Sequence, residues 1–580
     1  MKKDKKKKGN SFKIFFVYLK QYKMKLIGIS ICIFLFNLSY ILTGYLNGAA
    51  IESVVNQKIE ESLFFLGIYF LIEIISGFIN RMAYYFLSKI QIKVSRKIGY
   101  DTYLKVMCLP AYAFEELSSG EIINRVTNDT ETIAGSMNRL ISIVSNIISS
   151  LLILVYIFLN SWIIGLEIVF FLVIYLFIVK YFTKRIKTYD KEVKTKNDAY
   201  TAIANESVRG IREIRTLGIV KNLSNNVATI IKEMYHCSVK GNKLETNYDC
   251  VSGFLKSMLE IGTFITCAIL AYYGQITITF FVAMTYYIYR YTWLVENVTE
   301  FTKTYEKLSV SLDRINEIVG NTLYQDVKYG EQILKNPKGI LTFKDVTFHY
   351  KNEETLLNQL SITFEPNKKI AIVGSSGEGK TTLFNLITRI FDPVTGTIYL
   401  DDVPLSSLTE ESLRENISII RQEPFLFNRT ILENFQVLDP NITLEEVRKY
   451  CSLAFIDDYI MSLPEQYNTI LGEGGVNLSG GQKQRMAIAR TLLKKSKVIL
   501  FDEATSALDN ESQAYIKELI DTLAHDHTVL IVAHRLSTII DADIIYVIKK
   551  GRVFAQGTHE ELMKTCEFYN KLYNTEGNIK

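Results

Sequence analysis

Apolar residues gather into long unbroken runs in the first half of the chain and into short alternating strips in the second. A helix needs about 20 apolar residues to cross the hydrocarbon core of a bilayer. Leu26 to Leu46 meets that length without an ionisable residue and predicts a first span. Leu63 to Ile79, interrupted by Glu73, predicts a second. Leu140 to Leu159 and Trp162 to Val179 predict a third and fourth joined at Asn160 and Ser161. Val251 to Tyr273 and Ile276 to Val295 predict a final hairpin around Gly274 and Gln275. Uncharged runs of this length are rare in soluble cores, so buried helices of a large soluble protein describe the pattern poorly.

Between the spans the pattern stays helical. Met82, Phe86, Ile90, Val94 and Ile98 recur every four residues, with Lys89, Lys93 and Lys97 on another face, which predicts an amphipathic helix continuing out of the membrane. At about 1.5 Å per residue such extensions project tens of ångströms, far enough to act as levers.

Charge orients the spans. Asn47 to Ser62 carries one Lys against three Glu, and the turns at Asn160 and Gly274 carry no basic residue. The segments Asn80 to Arg139 and Lys180 to Asp249 are rich in Lys and Arg, and ten of the first 25 residues are Lys. Both termini are therefore expected in the cytoplasm. Leu26 to Leu46 is longer than a signal-peptide core and no small-residue cleavage site closes it, so a bacterial cytoplasmic membrane is expected. The formal net charge of +5 gives no argument for a nucleic-acid partner, and the seven cysteines show no CxxC pair or metal-ligand spacing.

After the polar stretch Asn321 to Lys338, alternation resumes in Leu341, Phe343, Val346 and Phe348. The apolar strand Ile370 to Val373 then runs into Gly374, Ser375, Ser376, Gly377, Glu378, Gly379, Lys380 and Thr381, which is a GxxxxGK[ST] loop. Its glycines let backbone N–H groups turn toward phosphate oxygens, Lys380 reaches the β and γ phosphates, and the Thr381 hydroxyl is placed to ligate Mg²⁺. A second strand, Val498 to Phe501, ends in Asp502 and Glu503. Asp502 is placed to hold Mg²⁺, and Glu503 to polarise a water for attack on the γ phosphate of ATP.

Between these elements lies Leu478-Ser479-Gly480-Gly481-Gln482, and with it the whole chain resembles the ATP-binding-cassette family, whose signature this pentapeptide is. The resemblance implies that Tyr350 stacks on adenine, that Thr382 closes the phosphate loop, and that Gln422 senses Mg²⁺ and the attacking water. It places Glu473 in the acidic stretch before the signature, Ser506 to Asp509 in the loop facing a partner subunit, and His534 at the γ phosphate as the switch histidine. Six spans ahead of one cassette look like the exporter branch, whose two short coupling helices would fall near Asn128 to Gly135 and Glu206 to Ile214. In that branch each ATP lies between Gly374 to Thr382 of one subunit and Ser479 to Gln482 of the other. Lys495-Ser496-Lys497 stands where relatives often carry Pro, with no chemical consequence expected.

The expected architecture is a cytoplasmic tail (1–25), an all-α six-span transmembrane domain with helical extensions (26–320), a linker (321–339) and an α/β P-loop ATPase domain (340–580). The expected activity is ATP-driven export of an amphipathic substrate, whether peptide, drug or lipid, by a half-transporter paired with a second copy in the bilayer. Import on the same scaffold and a non-transporting ATP-gated protein are the alternatives. Too few residues precede the first span for a leader-cleaving protease domain, so leader cleavage is not expected. The cargo site is sought among ionisable and aromatic residues inside the spans. Glu260 and Arg290 lie at matching depth and can pair; Tyr286, Tyr287, Tyr289 and Tyr291 offer hydroxyl-tipped aromatic faces. An unpaired Glu73 in each of two subunits would favour cationic, partly aromatic cargo.

Overall fold

Inside a bilayer a backbone has no water to bond, so each apolar run must close its own hydrogen bonds as a helix. In the computed structural model, which describes residues 12–13, 15–320, 327–350, 354–472, 476–503, 510–532 and 539–577, the runs are helical throughout. The chain divides into two compact units, residues 1–107 with 118–324, and residues 108–117 with 325–580.

Among the described residues the first unit holds six long helices: Lys23–Val55, Ile59–Met107, Thr130–Asn160, Trp162–Arg209, Val220–Tyr272 and Ile278–Val319. Among the described residues the first five are long and apolar enough to cross a membrane, the third counted from Ser119; the sixth carries its apolar stretch at Ile278–Ile288. The second helix, at 49 residues, is about 73 Å long at 1.5 Å per residue, more than twice the roughly 30 Å of hydrocarbon. The extensions are thus continuous with the spans. Turns fall where expected, at Ser161 and at Gly274, whose φ of +70° suits glycine. The loop between the first two spans is shorter than the polar residues suggested, because the flanking helices run on to Val55 and resume at Ile59.

The stripe on the second helix is shifted from the one expected. Ile90, Val94 and Ile98 are buried with Ala83 and Leu87, whereas Met82 and Phe86 are exposed. A four-residue step turns about 400° on a helix of 3.6 residues per turn, so each step drifts about 40° and Met82 ends well off the face of Val94. The buried stripe packs with Ile133, Ala134, Leu308, Leu312 and Ile315 of the third and sixth helices.

The short helices also differ. Residues 128–135 are not a separate element but a π-turn, Arg125–Asp129, running into the third long helix. The break comes earlier, where Pro110, with no N–H to donate, caps a short helix Ala111–Glu116. The second short helix, Ile211–Leu217, overlaps the expected segment and ends at Gly218 with φ +67°. The π-turn is pinned to the sixth helix. Buried Arg125 donates to Glu317 and Glu121 at 2.8 Å and to the Arg314 carbonyl at 3.1 Å, and Ser311 donates to Asp129 at 2.8 Å.

The first and sixth helices pack closely through Gly44, which meets a side chain, and Gly48, which meets backbone, four residues apart on one face. A Cβ on Gly44 would lie 2.8 Å from the Tyr287 ring, and one on Gly48 would overlap the Thr279 carbonyl. Just beyond, Glu52 accepts from the Thr279 N–H at 2.8 Å and from its hydroxyl, satisfying orphan donors at the start of the sixth helix.

The second unit carries two sheets. One is antiparallel, in the order β2-β1-β4-β5, from Leu341–Phe348 (β1), Leu357–Phe364 (β2), Thr395–Leu400 (β4) and Val403–Pro404 (β5). The other runs β10-β9-β3-β8-β7-β6, with Lys369–Val373 (β3), Ile417–Ile420 (β6), Val498–Asp502 (β7), Thr528–Val532 (β8) and Ile544–Lys549 (β9) parallel, and Arg552–Gly557 (β10) antiparallel on the edge. β3, β7 and β8 are buried at every residue, as parallel strands covered on both faces must be.

Gly48 and Gly28 make a paired test of the close helix contact, since nothing lies within 4 Å of a Cβ on Gly28. Gly48→Ala should cost about 1–3 kcal/mol through overpacking and lower the thermal midpoint of the purified chain, while Gly28→Ala leaves it level or raised. Equal midpoints for the two variants would contradict the contact.

Candidate functional site

β3 lies between β9 and β8, so the loop after Val373 opens at the carboxyl edge of the parallel sheet, where such folds bind their ligands. Gly377 and Gly379 adopt φ of +85° and +88°, a region closed to most side chains. Gly379 caps the helix Lys380–Ile387, whose first N–H groups face the loop mouth. A Cβ on Gly374 would lie 2.5 Å from the Ile548 carbonyl oxygen, so that position also demands glycine. Lys380 is buried and donates from Nζ to the carbonyls of Gly374 (2.8 Å) and Ser375 (2.9 Å), holding its charge inside the loop. Ser376 and Gly377 are exposed on the rim. The Glu378 carboxylate turns aside to accept from the Lys550 N–H, leaving its backbone as its contribution to the cradle.

Asp502 ends β7 buried, and the Thr381 hydroxyl donates to its Oδ1 at 3.2 Å. Burial pushes the Asp502 carboxyl up from its usual range; the Thr381 bond, Arg421 and Lys380 pull it back, and Glu503 adds to the rise. Two hard oxygen donors this close, one a destabilised anion, fit a Mg²⁺ ion in chemistry and charge. Glu503 follows at φ +50°, a conformation uncommon for a non-glycine residue, and its N–H donates to the Val532 carbonyl at 2.9 Å.

Gln422 lies exposed two residues past β6, and since Ile420 pairs with Phe501 the register sets it level with Glu503. Its carbonyl accepts from Gln484 Nε2 at 3.1 Å. Gln484 belongs to the helix Gly480–Leu493, as does Arg490, which donates to the Phe425 carbonyl at 3.0 Å. These two residues tie the Gln422 loop to the signature helix. Sequence reasoning passed them over, although a glutamine on the buried face of an amphipathic helix was a signal.

The signature is a helix start. Ser479 accepts from the Gln482 N–H at 3.3 Å and Gln482 Oε1 accepts from the Ser479 N–H at 2.8 Å, a reciprocal capping box. Ser479 and Gly480 are exposed while Leu478 anchors the turn in the core. Tyr350 donates to or accepts from Thr382 at 2.9 Å, and its ring meets Phe348 and Phe391 edge-on at 5.0 and 5.4 Å. His534, Asp509, Ser506 and Glu473 lie outside the described residues.

In the membrane unit Arg290 has other partners than the one expected. It is 9% exposed, donates to Asn37 Oδ1 at 3.0 Å and stacks over the Tyr40 ring at 4.1 Å, both on the first helix. Glu260, on the fifth helix, is half-buried. Tyr287 is a core residue rather than a cavity wall: it is fully buried against Gly44 and donates to the Ile41 carbonyl at 2.6 Å. Tyr286 does line a cavity of about 410 Å³, with Tyr40, Thr285, Arg290 and Trp293; Glu73 stands exposed on the second helix and is not on that wall. Lys256 pairs with Glu296, and Glu167 lies half-buried against Gly262, two contacts that sequence reasoning did not single out.

Residues 26–293 match the ABC transporter transmembrane region, and residues 357–506 match the ABC transporter family. The chain is 31% identical to the ATP-dependent lipid A-core flippase of Pseudoalteromonas atlantica over 590 residues, covering 98% of this chain and 97% of that protein. It is 30% identical over 519 residues to the corresponding flippase of Wigglesworthia glossinidia brevipalpis, covering 86% of each. It is 31% identical over 480 residues to the multidrug resistance ABC transporter ATP-binding and permease protein of Lactococcus lactis, covering 80% of this chain and 79% of that one. With a helical membrane region and an ATPase domain fused in one polypeptide, the chain belongs to the ABC transporter family, as an ATP-hydrolysing half-transporter of the exporter type.

Proposed function

We propose that two copies of this chain form an exporter in which each ATP lies between the Gly374 to Thr382 loop of one copy and the signature helix of the other. The observation that carries the reading is the placement of the two half-sites within one chain. The phosphate loop follows β3, while the signature helix packs on β6, three strands away and so about 14 Å at 4.8 Å per step. The helix presents an exposed, capped N-terminus with orphan N–H donors, which suits a γ phosphate brought by a partner. The described signature residues and Glu503 are intact in this one sequence, so a copy of itself is a sufficient partner.

Within each site Lys380 offsets phosphate charge and the loop N–H groups bind the β phosphate. Asp502 and Thr381, with Gln422 from the adjacent strand end, would hold Mg²⁺, which supplies charge neutralisation across the β and γ oxygens. Glu503 accepts the proton of the attacking water, His534 steadies the γ phosphate and Tyr350 meets the adenine; Asp509 lies at the partner's face. The substrate is amphipathic, in keeping with relatives named as a lipid flippase and a multidrug transporter, and the Lys and Arg bias of the connecting segments supports termini in the cytoplasm.

Glu503→Gln should retain ATP binding and accumulate a closed dimer while hydrolysis falls by about 10² to 10⁴. Steady-state ATPase near that of the wild type would remove Glu503 from the chemistry.

Asp502 yields a test through pH. Its folded-state pKa is raised above the ordinary carboxylate value by burial, so the folded chain binds the proton more tightly than the unfolded one. The contribution of Asp502 to nucleotide-free stability is therefore lost as pH rises through that raised pKa, and Asp502→Asn should remove this contribution and raise the midpoint at pH 7 relative to the parent. The same variant should lose the added thermal protection that Mg²⁺ gives with ATP. A lower nucleotide-free midpoint at pH 7 would contradict the electrostatic account.

A further inference from the structure

Arg290 is a buried cation for which the described residues supply no carboxylate. Its neighbours are neutral: the Asn37 carbonyl at 3.0 Å and the Tyr40 ring at 4.1 Å. Asn37 is itself fixed, donating from Nδ2 to Ser145 Oγ at 3.0 Å on the third helix, so its carbonyl is oriented toward the guanidinium. A charge at this depth costs several kcal/mol unless something meets it. Here what adjoins it is a cavity of about 410 Å³, within the size range of ligand pockets, walled by Tyr40, Tyr286 and Trp293. A guanidinium offers five N–H donors in a planar fork that matches carboxylate and phosphate, and one amide bond with one ring face leaves most of the fork unused.

A second feature lies on another face of the first helix, toward the third. An apolar groove of about 580 Å³ runs between Leu26, Ile31 and Phe34 of the first helix and Leu140, Val144 and Ile148 of the third. Ser145, which holds Asn37, is also on the groove wall. Asn37 stands between the two, meeting Arg290 of the cavity wall at 3.0 Å and Ser145 of the groove wall at 3.0 Å, so one side chain separates the cationic cavity from the apolar groove.

We propose that this cavity is a binding site for the anionic headgroup of an amphiphile, with Arg290 as its charge partner and the neighbouring groove taking the hydrocarbon tail. The inference rests on the export reading and names the substrate class of that exporter. It replaces the cationic preference expected from Glu73, because the ionisable residue on the cavity wall is a cation.

The test uses the full chain in phosphatidylcholine nanodiscs without nucleotide, carrying Trp162→Phe so that Trp293 is the single tryptophan. Quenching of Trp293 is titrated with dodecyl phosphate and with dodecyltrimethylammonium, which share one tail and differ in headgroup charge. Dodecyl phosphate should bind saturably and about tenfold or more tighter, the scale of a charge-assisted hydrogen bond. Arg290→Gln should erase that preference and Arg290→Lys should keep part of it. Equal binding of the two amphiphiles by the Arg290 chain would overturn the site, even if Arg290→Gln could not be purified; so would an unchanged preference in that variant. Inorganic phosphate should not compete at the concentrations where dodecyl phosphate saturates, and effective competition would overturn the amphiphile in favour of a free anion. ATPase of the same nanodiscs with Mg²⁺ and ATP is measured separately: its absence would count against the export reading and leave the binding result standing.

Discussion

The need of a backbone in hydrocarbon to satisfy its own hydrogen bonds governs the first half of this protein. It makes each span a helix, and once a helix is formed no local event stops it until a proline, a glycine or a capping residue does. The second helix therefore runs 49 residues to the break before Pro110, and the fifth runs 53 from the turn after Gly218. With helices this long, side chains of the apolar span and of the polar extension share one rigid rod. Gly44 and Gly48 bring two such rods close enough that the sixth helix is fixed by the first, from Thr279 at one end of the contact to Arg290 at the other.

In the ATP-binding unit the corresponding constraint is the parallel sheet. Buried strands β3, β7 and β8 deliver their carboxyl ends to one edge, so the phosphate loop, Asp502 and Glu503 converge although more than a hundred residues separate them. The loop glycines and the left-handed backbone at Glu503 are local departures from relaxed geometry, and they occur where the phosphates and the reacting water would sit. Gln484 and Arg490 then bind the Gln422 loop to the signature helix, so the end of the β6 strand and that helix are held as one piece.

Much of this was legible in the sequence, for physical reasons that also mark where legibility ends. Spans announce themselves by length and hydropathy, and the phosphate loop by residues whose spacing has one main use. What the sequence could not place were features set by tertiary register. The four-residue reading of Met82 and Phe86 ignored the helical drift that turns them outward, and the first short helix was sought at residues 128–135 although Pro110 marks the break. Glu260 and Arg290 matched in depth along their helices, yet depth says nothing of azimuth, and Arg290 meets the first helix instead. Tyr286 and Tyr287, adjacent in sequence, part by about 100° around the helix, so one lines the cavity and the other fills the core.

The central claim is that catalysis needs a phosphate loop from one copy and a signature helix from the other, and complementation between two inactive chains tests it most directly. Lys380→Ala disables the loop and Ser479→Arg blocks the signature, so each variant alone should form dimers without a working site. Co-assembled, they should regain ATPase, because a mixed dimer pairs the intact loop of the Ser479→Arg chain with the intact signature of the Lys380→Ala chain. Purified mixed dimers with measurable hydrolysis are the predicted result; mixed dimers as inactive as either parent would contradict the account.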